Sequence, residues 1–429
     1  MTPSCQANLS VGEDFDGLCG WVDQPDYRGT FDIIFSCLVV VLACIWTVLH
    51  LNLPAEDEGQ MKIFLRKFRW SVLSIFAPEV VALFALCQWS SARKSVRDMH
   101  AAGVADWTVV HGFYADMGGF ILHSPDMPPF PVNSRAIHYL VGKNYLVFPK
   151  TEERDIRDRS KADKFAKSLA VVQIGWMACQ CLARIKESLL VTPLEMTTMA
   201  FTVCSIASYY FWLDKPFETE KHVELATSTT IRDILLSAGP AARLPYVDTP
   251  MDFVQGCSVK HGPGARGRRK LFKSFGGLKP RPIRRIPNDY TPPPQSIWLA
   301  CFGWALSPLH CAIHVGGWDF PFPTQTEQFV WRASCSVLLV VSFLGGLLDV
   351  VTVKPGLDFT ISLMGIWEKT TTCPESRFKR WGLDLPATVC AVGYVVARLM
   401  LLLEAVVTLR SMPSSAYRTV AWTNYLPHL

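Results

Sequence analysis

Between Leu385 and Leu409 the chain is apolar, and two charges, Arg398 and Glu404, sit inside that run. About 20 such residues in a helix cross a bilayer. A charge at that depth is costly unless it is paired inside a bundle or near water. The rest of the chain is therefore expected to supply helices that enclose an interior polar site. The run ends in an unusual tail, Leu409-Arg-Ser-Met-Pro413, followed by Tyr417 to His428.

Composition agrees with a membrane setting. Mean hydropathy is +0.21, and only 18% of residues are charged, against about 25% in soluble domains. Several of the fourteen Trp lie near the ends of apolar runs, where indole suits the headgroup region. The runs are continuous, whereas a membrane β-barrel needs alternating segments of about ten residues. The expected fold class is all-α: a polytopic transmembrane bundle of about seven spans, with eight left open, and two long polar loops.

In order, the chain divides into a polar N-terminal segment (1–30), two apolar segments (31–90), a polar region (91–165) and a hairpin of spans (166–215). A basic, partly flexible loop (216–294), a second hairpin (295–353), a mixed loop (354–384) and the last span with its tail (385–429) follow. The N-terminal segment lacks the basic start and apolar core of a cleaved signal peptide, so the first span is expected to act as its own signal. The segment holds an Asn8-Leu9-Ser10 glycosylation sequon and two cysteines, Cys5 and Cys19. A glycan and a disulfide between those cysteines both imply a lumenal or extracellular N-terminus.

Lys62, Arg66, Lys67 and Arg69 place the next loop in the cytosol, and Met61–Trp70 reads as an amphipathic surface helix. Ala77-Pro78-Glu79 interrupts the second apolar run. Proline removes a backbone donor and kinks a helix. With seven crossings, the basic 91–165 region falls on the lumenal side, unless the Pro78 segment does not cross or a further crossing lies near Trp107–Leu122. From Lys260 to Arg285 there are ten Lys or Arg and no acid. That stretch suits anionic lipid head groups at 260–285; no aromatic platform or binding fold accompanies it, so nucleic acid is not expected.

Six ionisable groups lie in or near the spans: Glu79, Glu195, Arg332, Asp349, Arg398 and Glu404. Glu79, Glu404 and Arg398 are the candidate catalytic set, because a buried carboxyl can hold and donate a proton. Structural ion pairing is the alternative. Arg398 and Glu404 are six apart, so each needs another partner. His310 and His314 share one helical face, and were considered as a metal or haem pair. Histidines bonded to a neighbouring helix are the favoured reading, because no partnering Cys or carboxylate is evident in the sequence, and no cofactor is expected. Phosphate loops, GxSxG elbows, HExxH and paired aspartate-rich motifs are all missing from the sequence.

Long distinctive stretches carry a resemblance. They are Cys19-Gly-Trp-Val22, Arg28-Gly-Thr30, Trp46 to Asn52, Ala77-Pro78-Glu79, Gln88-Trp89, His111 to Phe120, Ser160 to Asp163, Leu194-Glu195, Tyr209 to Pro216, and Arg398 to Glu404 with the Leu-Pro-His tail. On these the chain resembles a large family of uncharacterised polytopic membrane proteins of filamentous fungi. The resemblance brings no catalytic residue. Some members resemble neighbours of secondary-metabolite genes, which implies an accessory membrane enzyme or scaffold in such biosynthesis, partnered by the bilayer and by biosynthetic enzymes. A small-molecule transporter, channel or receptor-like protein is the alternative, and whether the chain is an enzyme stays open. The expected location is multi-pass, in the endoplasmic reticulum or plasma membrane.

Overall fold

The computed structural model describes residues 18–19, 28–149, 151–157, 161–217, 219, 221–243, 246, 248–259, 281–288, 290, 292, 296–352 and 377–421. Asn8, Cys5 and most of the basic 260–285 stretch lie outside them, and of Cys19 only the backbone is described. After β1 (Leu18–Cys19) comes α1 (Thr30–Val48). Its Phe35, Leu38, Leu42 and Trp46 form one outward apolar stripe, and Ile33, Cys37, Val40 and Cys44 face inward.

Next, α2 (Gln60–Phe76) and α3 (Pro78–Ala101) meet at Ala77 with a bend of 112°. Pro78 cannot donate to the ladder of α2, but it fits the first turn of α3. The segment around Arg285–Tyr290 fixes the direction of this pair. Arg285 lies 3.9 Å from Glu58, just before α2, while Gln88 in α3 donates to the Asn288 and Tyr290 carbonyls at 3.4 and 3.2 Å. Glu58 and Gln88 are thus held close to one segment, and Ala77 at the bend is buried.

Beyond α3 the chain forms α4 (Val109–Asp116), β2 (Phe120–Ser124), β3 (Met127–Val132) and α5 (Ser134–Gly142). Two helices, α6 (Glu153–Arg157) and α7 (Lys161–Lys186), lead to α8 (Pro193–Phe211). Then come β4 (Val223–Ala226), α9 (Ile231–Ala238) and a 3-10 stretch, Pro250–Val259. The chain closes with α10 (Ile297–Val315), α11 (Gln325–Thr352), α12 (Arg377–Val407) and β5 (Met412–Pro413), which pairs antiparallel with β1.

The all-α expectation with two open polar loops needs correcting. The chain is mostly helical, but the two polar regions fold together around a three-stranded sheet of order β3-β2-β4. β2 pairs antiparallel with β3 and parallel with β4. Trp107, Tyr114, Phe120, Phe130, Ile137 and Ile234 fill one apolar core beneath it. Edge strand β3 carries Pro128, Pro129 and Pro131, which a central strand would not tolerate. Because β2 and β4 share a sheet, both polar regions sit at the same end of the bundle.

Among the described residues, four helices are long and apolar enough to cross a membrane, or five if the bent α2–α3 pair counts as one: Thr30–Val48, Trp298–Val315, Gln325–Leu344 and Val392–Arg410. The more polar α8 packs against α1, α3, α10 and α12. Its Thr197, Thr198, Thr202, Ser205 and Ser208 each bond the carbonyl four residues back, at 2.8–3.0 Å. A helix enclosed by other helices can carry such residues because their donors are met within its own backbone.

The opposite end of the bundle is tied by charge. Arg28 pairs with Glu195, whose other oxygen completes a capping box with Thr192. Arg184 donates to the carbonyls of Leu190, Ser415, Ala416 and Arg418 at 2.7–3.0 Å. These contacts seat the C-terminal tail.

Gly112 marks the closest approach of α4 to α3: an added Cβ would meet the Ala92 carbonyl oxygen at 2.9 Å and its Cα at 3.0 Å. Gly112→Ala is expected to cost about 1–3 kcal/mol, read as a lower melting temperature in detergent. Gly142→Ala, whose Cβ meets open space, should show no such loss.

Candidate functional site

Two buried polar clusters lie on either side of α3. The first joins the bundle to the α/β unit. Lys215, just past α8, donates to Gln88 Oε1 at 2.8 Å and Asn52 Oδ1 at 3.5 Å, and sits 4.6 Å from the Trp212 ring centre. Trp212 Nε1 donates to the same Gln88 oxygen at 3.0 Å, and Asn52 donates to the Pro287 carbonyl at 2.8 Å. Nearby, Asp116 accepts from Ser91 Oγ at 2.8 Å and from the amide and hydroxyl of Ser134 at 3.1 and 2.7 Å. Burial pushes the Asp116 carboxyl up, against its serine hydrogen bonds. Burial pulls the Lys215 ammonium down to about 7, with the charge of Asp116 opposing. These side chains face partners in every direction, as in a cluster that locks two parts together.

The His111–Phe120 stretch belongs to the same architecture. His111 Nδ1 caps α4 through Thr108, and its Nε2 meets the Thr151 carbonyl at 2.9 Å. Tyr114 donates to the Lys221 carbonyl at 2.5 Å, which holds the entry to β4. Gly119 packs against the Tyr114 ring, where a Cβ would come within 2.4 Å. The distinctive motif is accounted for by folding.

The second cluster lies inside the bundle, at the inward turn of α2–α3. Glu79 is the second residue of α3, where the positive end of the helix favours an anion. Around it stand Cys204 from α8, His310 and His314 from α10, and Tyr394 and Arg398 from α12. Glu79, His310, His314 and Arg398 are 3%, 1%, 0% and 1% exposed, so the site is closed to bulk water. Tyr394 donates its hydroxyl to Glu79 Oε1. Arg398 Nε donates to the Phe76 carbonyl at 2.9 Å.

The histidine rings are oriented by backbone. His310 Nδ1 lies 3.1 Å from the Ala200 carbonyl, and His314 Nδ1 lies 3.0 Å from the His310 carbonyl. A carbonyl only accepts, so each Nδ1 carries a proton, and in the neutral ring each Nε2 then presents a lone pair. Among the described residues, Glu79 Oε2, His310 Nε2, His314 Nε2 and Arg398 Nη1 find no hydrogen-bond partner. Glu79 Oε2 and His310 Nε2 face each other at 3.7 Å. Glu79, Cys204 and His310 offer three metal-ligating atoms within 4.8 Å of one another.

Of the sequence candidates, Glu79 and Arg398 come to one place. Glu404 does not: six helical residues separate it from Arg398 by about 9 Å along α12, and its charged neighbours are Glu327 and Arg410. Glu195 is taken up by Arg28, and Arg332 by Asp319 at 2.8 Å. Side-chain contacts of Asp349 lie outside the described residues. The carboxylate that His310 lacks in its own stretch arrives from α3, and the cysteine grouped with it is Cys204 from α8, not the adjacent Cys311. Sequence reading missed Cys204 and Tyr394, since a Cys or Tyr in an apolar run carries no signal of its own.

The two clusters respond differently to perturbation. The unfolded chain holds the Lys215 proton up to about 10.4, and the folded chain releases it near 7. Between those values the unfolded state binds more protons, so stability rises with pH. Lys215→Met is expected to flatten that rise in melting temperature between pH 7 and 10, and a parallel rise in the variant would count against the assignment.

Comparison with curated proteins and with solved structures gives no match. A family model matches residues 9–236 and 304–429, which is most of the chain and spans both clusters. The unmatched part includes the basic stretch and the first turns of α10. On that match the chain belongs to the family of unknown function DUF8562.

Proposed function

We propose that this chain is a multi-pass membrane protein whose reaction centre is the Glu79–His310–Tyr394–Arg398 cluster, and that it performs acid–base chemistry on a lipophilic small molecule. The observation that carries this reading is the set of water-excluded polar atoms without partners around Glu79. In the Lys215 cluster, by contrast, Lys215, Gln88 and Asp116 are each engaged by several partners. The chemistry that fits is a proton-initiated cyclisation or isomerisation, with the acid held at Glu79 and the developing charge balanced by Arg398 and Tyr394. The resemblance to fungal proteins near secondary-metabolite genes supports an accessory role in such a pathway.

The topology belongs to the same proposal. Six helices cross (α1, α7, α8, α10, α11 and α12), and α2–α3 forms a re-entrant hairpin. Supporting this, Leu53 after α1 donates its amide to the Met117 carbonyl at 3.2 Å, so the chain is at the same end before α2 and after α3. The positive-inside rule then puts the α/β unit in the cytosol with its basic residues, and both termini outside. Single cysteines placed at Gly59 and Gly103 should label from the same side of sealed vesicles. Labelling from opposite sides would replace the hairpin with a crossing.

A second reading, transport, is favoured by the broken helix at Ala77. Discontinuous helices that aim a half-helix N-terminus at a mid-membrane site are common in transporters. Deletion in the source organism with untargeted metabolite profiling separates the two. Under the enzyme reading one product disappears and a single precursor accumulates inside cells. Complementation with Glu79→Gln should leave product at least about 100-fold below wild type. Full yield with Glu79→Gln, or a precursor that builds up only across the membrane, would overturn the enzymatic reading.

A further inference from the structure

We propose that Glu79, Cys204 and His310 bind a divalent transition-metal ion of the zinc class. This rests on the reaction centre described above and deepens it: Glu79 would hold the ion, and the ion's bound water would be the acid. The central observation is the contact between Glu79 Oε2 and His310 Nε2. In the neutral ring the Ala200 carbonyl fixes the proton on Nδ1, and Nε2 turns a lone pair toward a carboxylate oxygen 3.7 Å away. Two acceptors that face each other in a dry site repel unless a cation lies between them. A proton on the carboxyl cannot bridge that gap, because 3.7 Å exceeds hydrogen-bond reach.

A metal ion does fit. Tetrahedral bonds of about 2.0–2.3 Å put ligand atoms roughly 3.3–3.7 Å apart. The Glu79–His310 separation lies at the upper edge of that range, and Cys204 Sγ is within 4.8 Å of both. Binding would draw the Cys204 thiolate in to about 2.3 Å from the ion. Glu79 carboxylate and Cys204 thiolate would together neutralise a divalent ion, leaving the Arg398 guanidinium as the net charge of the cluster. The outer contacts match metal sites as well. A ligating histidine characteristically donates its other nitrogen to a backbone carbonyl, and a ligating carboxylate is itself hydrogen-bonded. Ala200 and Tyr394 play those parts here. His314 stands one turn on, its ring centre 5.0 Å from that of His310 and its Nε2 also without a partner among the described residues. That nitrogen is placed to accept from a water in the fourth position. Arg398 is the charge that opposes the ion, and its Nε is committed to the Phe76 carbonyl.

The test is metal analysis of the full-length protein purified in detergent without chelators, followed by replacement with cobalt(II). Wild type should hold about one equivalent of metal and show a thiolate-to-cobalt charge-transfer band. Cys204→Ser should lose that band, and His310→Gln should weaken binding at least about 10-fold. Cys44→Ser alters a buried cysteine in a separate apolar cluster, and should keep both metal and band. Wild type that binds neither zinc nor cobalt, or a band that survives in Cys204→Ser, overturns the proposal. Product yield is scored separately. No metal with product still dependent on Glu79 removes the ion and leaves the acid–base reading; bound metal with product independent of Glu79 does the reverse.

Discussion

Arg398 and Pro78 are each awkward alone, and the fold solves both with one contact. Pro78 ends the ladder of α2 and frees backbone carbonyls inside the bundle. Arg398 brings a guanidinium into an apolar helix, where it needs acceptors. Its Nε donates to the Phe76 carbonyl at 2.9 Å, at the point where the helix breaks. That contact ties α12 to the α2–α3 turn and so places the start of α3 in the interior. Glu79, next in sequence to the break, arrives with it. Without the break Glu79 would ride on a continuous helix; without Arg398 the freed carbonyl would have no such donor.

The polar content of the molecule divides into two kinds. At the junction with the α/β unit, Lys215, Gln88, Asn52, Asp116 and Ser134 form a web of donors matched to acceptors. Such webs hold parts in register and leave little capacity for a ligand. At the centre of the bundle, Glu79, His310, His314 and Arg398 each keep an atom without a partner among the described residues. Unmet hydrogen-bonding capacity costs free energy, and here it gathers on ionisable groups that are almost wholly closed to water. The outward apolar stripes of α1 and α12 complete an inside-out arrangement, with apolar residues outside and charges within.

How much was legible differs from element to element. The long helices were readable because continuous apolar runs with Trp and basic residues at their ends need no tertiary information. The hydrophobic stripe of α1 is visible in the spacing of Phe35, Leu38, Leu42 and Trp46. The α/β unit was not readable. Its strands are short, β3 is half proline, and β4 joins β2 only after the chain has passed through α7 and α8. The candidate site was half legible: Glu79 and Arg398 stood out because a charge in an apolar run is expensive. Cys204, Tyr394 and the orientation of His310 did not, since each is ordinary in its own helix.

The sequence by itself determined the class of molecule and the identity of its buried charges, because hydropathy and charge cost are properties of a residue and its near neighbours. Only the tertiary structure decided that α2 and α3 meet at a bend of 112°, with Glu58 and Gln88 drawn to one segment, Arg285 to Tyr290. Only the tertiary structure brought a carboxylate, a thiol and an imidazole to one point. Residues 79, 204 and 310 are separated by more than a hundred positions each, and helix packing, not local pattern, sets the distance between them.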